Sequence, residues 1–397
     1  MPMRPEVGTD LDFLSALVHG RRSRLAEGSR LDELCRLRTV AELVQAIAPE
    51  MPAETIAGLQ RRMVSDLAAE LANVAGHLGD TRGARVVEWL GARFQAENLK
   101  VLARGVATGR PLAELQALII PLATPFAIDL EGLAGADSVE TFIGRVPSAP
   151  LRNGLQAAAA VYERSRKSFF LEAGLDKGYL VELLDRVGRV RQGEGLKQLA
   201  DQETDMFHLA LAARGRLVYG LKAEDLSAFH VEGAKVDREV FGAMLAATSA
   251  GELASLAATR VIDPLPKCAA VRPRYSSAAV RPRTAEGPAQ LAKASRLRRP
   301  DGGLTPAALE ALALERFHRL ANRIFRRTPV GLDVVAAYVA LARIELANLI
   351  TLSEGIRACH GVALASRAAA APEAIRRRLI PRQAVARPYG RARPRGA

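Results

Sequence analysis

The sequence predicts an all-α protein built from three similar helical units. Three observations carry this expectation. Ala, Leu, Glu and Arg, the strong helix formers, dominate a chain of 397 residues. Alternating β-branched runs of the kind that mark strands are scarce. Two short patterns recur along the chain at intervals close to the size of one small domain.

The first pattern is a capped helix start, seen at Thr39 to Leu43, Ser138 to Phe142 and Ser249 to Leu253. In the first and third, the hydroxyl precedes Glu42 or Glu252 by three, the capping-box spacing. The second pattern places an amide or carboxylate before a large apolar residue, with a small residue seven on. It reads Asn98-Leu99 with Gly105, Asp205-Met206 with Ala212, and Asn348-Leu349 with Gly355. Asn98 and Asp205 are 107 positions apart. Asp205 and Asn348 are 143 apart, or 103 once the 40-residue segment 264–303 is set aside as an insertion. The expected organisation follows. Residues 98–204 form one unit, and 205–263 with 304–344 another. Residues 1–97 and 345–385 make a unit closed by both chain ends. The first capped start has no amide-bearing helix before it, and the last such helix has no capped start after it. Ends that share a unit close a ring of three.

Individual helices are expected at Ala84 to Ala107, Leu155 to Leu171, Lys177 to Arg191 and Leu199 to Ala213. The best marked opens at Thr305 as N-cap with Pro306 at the first helical position. Its apolar residues Leu309, Ala313, Phe317, Leu320 and Ile324 share one face. Arg326 and Arg327 sit at the negative end of its dipole, and Pro329 and Gly331 stop it. A following helix, Leu332 to about Arg357, is apolar almost all round and is expected to be central and buried.

The net charge is +13, but it is unevenly spread. Segment 264–303 carries +7 and the stretch from Arg376 onward +8, so the rest of the chain carries −2. The basicity belongs to a Pro- and Arg-bearing insertion and a tail, 386–397, not to a folded face. Their cations Arg272, Arg274, Arg281, Arg283, Arg391, Arg393 and Arg395 are candidates for polyanion or anionic-lipid contact. No secretory leader is expected. The longest uncharged run, Leu115 to Ile128, holds two prolines and is too short to span a bilayer. The three cysteines, Cys35, Cys268 and Cys359, form no CxxC pair and suit a reducing compartment.

Chemistry-bearing motifs are missing from the sequence. There is no GxxxxGK[ST] phosphate loop, no HExxH and no GxSxG elbow. Gly193-Glu-Gly195 and Gly302-Gly303 follow no expected strand, which excludes a dinucleotide fingerprint. Asp205 with His208 reads as a structural ion pair, and Lys100 and Arg104 as facing solvent or acidic neighbours. No catalytic, cofactor-binding or metal residue is assigned.

Several stretches, in order, resemble the C subunit of V/A-type rotary ATPases, the counterpart of the eukaryotic d subunit. They are Arg24-Leu25 through Leu31–Leu34 to Thr39–Leu43, Glu97–Lys100, Glu172–Tyr179, Phe317–Arg327 with Pro329–Gly331, Tyr338 with Glu345–Leu349, and Pro372–Leu379. The likeness covers about Leu11 to Val385. Asp205 stands where that family usually has Asn, and Phe207 where it usually has a base. The insertion and the tail are not typical. The resemblance implies a funnel of three similar helical domains with pseudo-threefold symmetry. It implies a non-catalytic component of the central stalk, a socket joining rotor shaft to membrane proteolipid ring and transmitting torque for proton or sodium transport. Its partners would be shaft subunits and the ring, with anionic lipid as an accessory contact, on the cytoplasmic face of the membrane. It would bind no cofactor, small-molecule substrate or nucleic acid.

Two other readings compete. A helical-repeat nucleic-acid or polyanion binder would use the basic segments, yet should carry cations on a folded face and bind with steep salt dependence. An all-α enzyme would gather strongly perturbed titratable groups in one cleft. With no loop to cradle phosphates, the purified chain is expected to show neither ATP hydrolysis nor ATP binding in calorimetry. Micromolar binding that persists through repurification would contradict this.

Overall fold

A computed structural model describes residues 8–50, 55–79, 81–191, 193–263 and 304–360. Every extended regular element among them is helical. Ala258 and Ile262 meet in an isolated bridge, and no strand is formed among the described residues. The basic insertion, the C-terminal tail and the arginines proposed in them lie outside the described residues.

The N-terminal part comprises α1 (Gly8–Arg22), α2 (Gly28–Leu34), α3 (Val40–Ile47), α4 (Ile56–Gly76) and the 27-residue α5 (Arg82–Thr108). Thr39 makes the full capping box with Glu42 that the sequence predicts. Thr55 and Thr81 cap α4 and α5 by accepting from the third backbone N–H of each helix. Gly109 ends α5 in the left-handed region at φ 65°. Three short helices follow: α6 (Leu112–Gln116), α7 (Leu130–Ala134) and α8 (Val139–Arg145), the last capped by Ser138.

Next come α9 (Ala149–Ser165) and α10 (Phe169–Gly188). The sequence pattern predicts a single helix across their junction and starts the next one eight residues late. Arg166 is the reason: it ends α9 in the left-handed region at φ 55°, with no glycine or proline to announce the break. The two helices then pack at backbone contact. A Cβ on Gly154 would lie 2.1 Å from the Gly174 carbonyl oxygen, and one on Gly178 2.4 Å from that of Pro150.

The chain continues with α11 (Glu194–Ala210), which runs into a π-helical turn (Leu211–Arg216), then α12 (Ala223–Ser227), α13 (Arg238–Ala246) and α14 (Ala250–Ala257). After the insertion come α15 (Pro306–Arg327) and α16 (Leu332–His360). Thr305 caps α15 as expected. Residues Leu332–Ala358 of α16 are long and apolar enough to cross a membrane, with mean hydropathy 1.6, but 67% of the 18-residue apolar window within them is buried inside the protein. It is a core helix. It packs on α1, α4, α11 and α15, and its last turns join α2, α3 and α4 through Leu349, Leu352 and Ile356 against Leu31, Leu43 and Leu59. Cys35 is buried in that same cluster.

The glycine contact generates a test. Gly154→Ala or Gly178→Ala is expected to cost about 1–3 kcal/mol in urea unfolding, the usual range for overpacking. Gly242→Ala on α13, where a Cβ meets open space, is expected to be neutral or stabilising.

Candidate functional site: the junction of three long helices

The helices α5, α11 and α16 carry the second repeated pattern, and they meet. The Gly83 backbone of α5 lies against the Leu332 side chain at the start of α16. Asp333 of α16 accepts from the Gly195 and Leu196 backbone amides of α11 at 3.0 and 2.8 Å, satisfying amides that the first turn leaves open. Just beyond, a small cavity is lined by Leu196, Leu199, Ala200 and Glu203 of α11 and by Ala336, Val339, Ala340 and Arg343 of α16. These two sets are the same positions 140 residues apart. Leu90 of α5 joins them, with Leu183 of α10 and Phe317 of α15.

The structure sets the register of the repeat more finely than the sequence pattern does. Asn98 is buried, accepts from the Ile120 amide at 2.9 Å and donates to its carbonyl at 2.8 Å. Its partner lies in the loop after α6. On α11 the corresponding bond is made by His208, whose Nε2 accepts from the Val231 amide at 3.0 Å. A Cβ on Gly105 would meet the Leu115 side chain of the following short helix at 2.3 Å, and one on Gly215 would meet Leu226 at 2.9 Å. The repeated string is therefore Asn98 to Gly105, His208 to Gly215, and Asn348 to Gly355, each seven apart. Asp205 and Ala212 fall three residues short of it. The offset is 110 at His208 and Gly215 but 111 at Leu226 and Val231, so one extra residue enters after Gly215, where the π-helical turn ends and the Gly215 carbonyl accepts from Leu221 where that of Gly105 accepts from Arg110. Asn348 is also buried, and Gly355 is half-buried.

Asp205 has its own place. It is buried, and one of its oxygens accepts from the Val236 amide at 2.8 Å. His208 stacks on His230 at 4.8 Å, and its Nδ1 stands 4.0 Å from Asp205. The ion pair expected between them is not formed. Burial, with His230 and Lys177 adding to it, pushes His208 down to about 3, so it is neutral. Burial pushes Asp205 up to about 7, against the Val236 and Lys235 amides.

One face of each long helix carries Arg93, Glu97, Lys100 and Arg104 on α5, Glu203, Phe207, Ala210 and Arg214 on α11, and Arg343, Ala347, Ile350 and Glu354 on α16; all are partly open to solvent except Lys100, which is buried beside Asp176. The positions are equivalent in the repeat. Side-chain exposure rises from 23% at Arg93 to 52% at Arg104, from 14% at Glu203 to 58% at Arg214, and from 21% at Arg343 to 42% at Glu354. At these equivalent positions the side chains are most enclosed where the three helices meet and most exposed toward the helix C-terminal ends.

Where the three helices meet, charged side chains form an electrostatic knot. Arg343 holds Glu203 through two hydrogen bonds, at 2.8 and 3.0 Å. Burial raises the Glu203 carboxyl, but Arg343 and Arg93 outweigh it and hold the group ionised. Arg93 pairs with Asp176 of α10 at 2.7 Å and with Glu97 at 2.9 Å, and Lys100 reaches Asp176 at 2.6 Å. Burial also opposes ionisation of Glu97, which Arg93, Lys100 and Arg343 together hold well below the usual carboxylate range. Arg104 pairs with Glu172 at 2.8 Å. Lys100 and Arg104 therefore face acidic neighbours, one of the two outcomes the sequence allows. Trp89 donates to the Tyr179 carbonyl at 3.0 Å, with Arg186 over its ring at 4.5 Å, and fastens α5 to α10. Among the described residues no group of His, Cys, Asp and Glu is arranged to hold a metal ion. The sequence pattern misses Arg93, Glu203 and Arg343, because unlike residues at equivalent positions show up only once the register is right.

The Asp205–His208 pair generates a pH test. Between about pH 4 and 6.5 native Asp205 keeps a proton that the unfolded chain releases, which makes stability fall with pH. Over the same window unfolded His208 binds a proton that the native ring excludes, which makes stability rise. The two contributions offset. Asp205→Asn leaves only the second, so its stability is expected to climb with pH by up to ~1.4 kcal/mol per unit in urea titrations, where the parent chain is flatter.

Residues 14–360 match the family model described as ATP synthase (C/AC39) subunit. The chain is 22% identical over 227 residues to the C subunit of the A-type ATP synthase of Methanocaldococcus jannaschii, covering 55% of this chain and 57% of that protein. It is 26% identical over 220 residues to the C subunit of the V-type ATP synthase of Deinococcus radiodurans, covering 52% and 61%. Each alignment thus spans under two thirds of the relative's length.

Proposed function

The chain belongs to the ATP synthase (C/AC39) subunit family, and from that premise we propose that it is the non-catalytic central-stalk component of a V/A-type ATPase or ATP synthase. In this reading it seats the rotor shaft on the membrane proteolipid ring, on the cytoplasmic face, and turns with both. It passes torque between ATP turnover and proton or sodium movement. Its three helical domains, bounded as the sequence predicts, form a funnel, and the equivalent faces of α5, α11 and α16 line its recess, with the charged cluster at the floor and the helix C-terminal ends at the rim. Asn98, Asn348, Gly105 and Gly355 serve the packing of the repeat, as Asp205 does for its own loop. The arginines of the insertion and tail are accessory contacts to anionic lipid.

The observation that carries the reading is the junction itself. Three equivalent long helices meet where Arg343 binds Glu203 and the Arg93 charge stabilises the same carboxylate. A joint under torsion needs walls that do not shear. Close-packed helices joined by buried, mutually satisfied charges supply that stiffness. The recess holds paired charges and apolar surface, the composition of a protein-binding surface and not of a reaction centre.

Removing the chain from membranes that carry the complete complex is expected to leave ATP hydrolysis by the nucleotide-binding part intact while abolishing ATP-driven ion pumping. Adding the purified chain back restores pumping. Pumping that survives its removal would overturn the proposal.

A further inference from the structure

The three helices present equivalent faces but not equivalent chemistry. Midway up the recess, α5 offers Glu97, backed by the buried Lys100 that pairs with it. At the same positions α11 offers Phe207 and Ala210, and α16 offers Ala347 and Ile350. One wall is therefore polar and tied by ion pairs to α10, and two are apolar. Floor and rim are charged on all sides, through Arg93, Glu203 and Arg343 below and Arg104, Arg214 and Glu354 above.

We propose that the recess is keyed: it accepts the end of a helical shaft in only one of the three angular positions that its repeated architecture offers. The proposal rests on the socket reading above and goes beyond it by stating the surface chemistry of the shaft. The seated end carries a broad apolar face toward α11 and α16 and a narrower polar stripe toward α5. Turning it by a third of a revolution sets apolar side chains on Glu97 and buries its polar stripe against Phe207 or Ala347. Both changes strip polar groups of partners, and that loss, more than any added attraction, is what discriminates one position from the others. A uniform apolar ring would hold a shaft without fixing its angle. A uniformly charged one would hydrate and let it slip.

The test uses the full chain with Cys35→Ala, Cys268→Ser and Cys359→Ser, and the cognate shaft subunits as the probe. Single cysteines are introduced as Glu97→Cys, Phe207→Cys and Ala347→Cys, all at partly open positions. The shaft carries one cysteine on the apolar face of its seated end, or one on its polar face. Co-sedimentation first establishes that chain and shaft bind; absence of binding overturns the socket reading and the keying with it. Mild oxidation of the bound complexes then reads the angle. The apolar-face cysteine is expected to join positions 207 and 347 at least tenfold more than 97, and the polar-face cysteine to show the reverse. Equal joining at all three positions, in complexes that do bind, overturns the keying alone. A second variant, Ala347→Glu, alters an exposed position and places a charge on an apolar wall. It is expected to weaken shaft binding at least tenfold, and unchanged binding would also count against the proposal.

Discussion

The arrangement of this protein depends on one pair, Glu203 with Arg343. Three long helices joined only through their apolar faces can pack in several relative shifts at little cost, because dispersion and burial carry almost no directional information. A two-point contact between carboxylate and guanidinium does carry it. Shifting α11 by one turn against α16 would leave both charges buried and unmatched, a loss of about 3–5 kcal/mol. Of the α5 cations, Arg93 adds its field to the same carboxylate, while its own bonds and those of Lys100 go to Asp176 and Glu97. The register of the junction is thus set by charge, while its adhesion comes from the apolar residues around it. The remaining elements hang from that junction in pairs, α4 with α5, α10 with α11, and α15 with α16.

Local chemistry is legible in the sequence wherever a single residue decides a local geometry. The Thr305 cap, the Thr39 capping box and the buried α16 can all be read there, because each needs only neighbours in sequence. The repeat itself is visible, but its register is not. Asn98 and Asn348 are amides, and the polar residue on α11 that most resembles them in sequence context is Asp205. A histidine serves on α11 because what the position requires is an acceptor for a loop amide, which an imidazole nitrogen supplies as well as an amide oxygen does. The constant glycine seven residues on is the stronger signal. The ion pairs of the recess are illegible for a different reason. Arg93, Glu203 and Arg343 share a position but not a charge sign, and complementary residues in a repeat look like divergence.

The α9–α10 break shows the limit of pattern reading from the other side. Arg166 adopts the left-handed region, a conformation that usually needs glycine, and so gives no warning in the sequence. The close approach of Gly154, Gly174 and Gly178 is likewise invisible, since glycines inside helical stretches read as weak positions until a second backbone is found against them.

The hydropathy of α16 has a consequence for how the protein is made. A newly synthesised stretch as apolar as Leu332–Ala358 is a substrate for membrane-insertion machinery and for aggregation. Its position in the chain is a safeguard. By the time it leaves the ribosome, α1, α4, α11 and α15, the helices that cover it, have already been translated. Its 29 residues take roughly 1.5–6 s to synthesise at ordinary elongation rates. A preformed cradle can therefore take up each turn as it appears. The same helix placed first would wait, uncovered, for the whole of the chain that shelters it, so the order of the helices in the gene is itself part of what keeps this protein off the lipid.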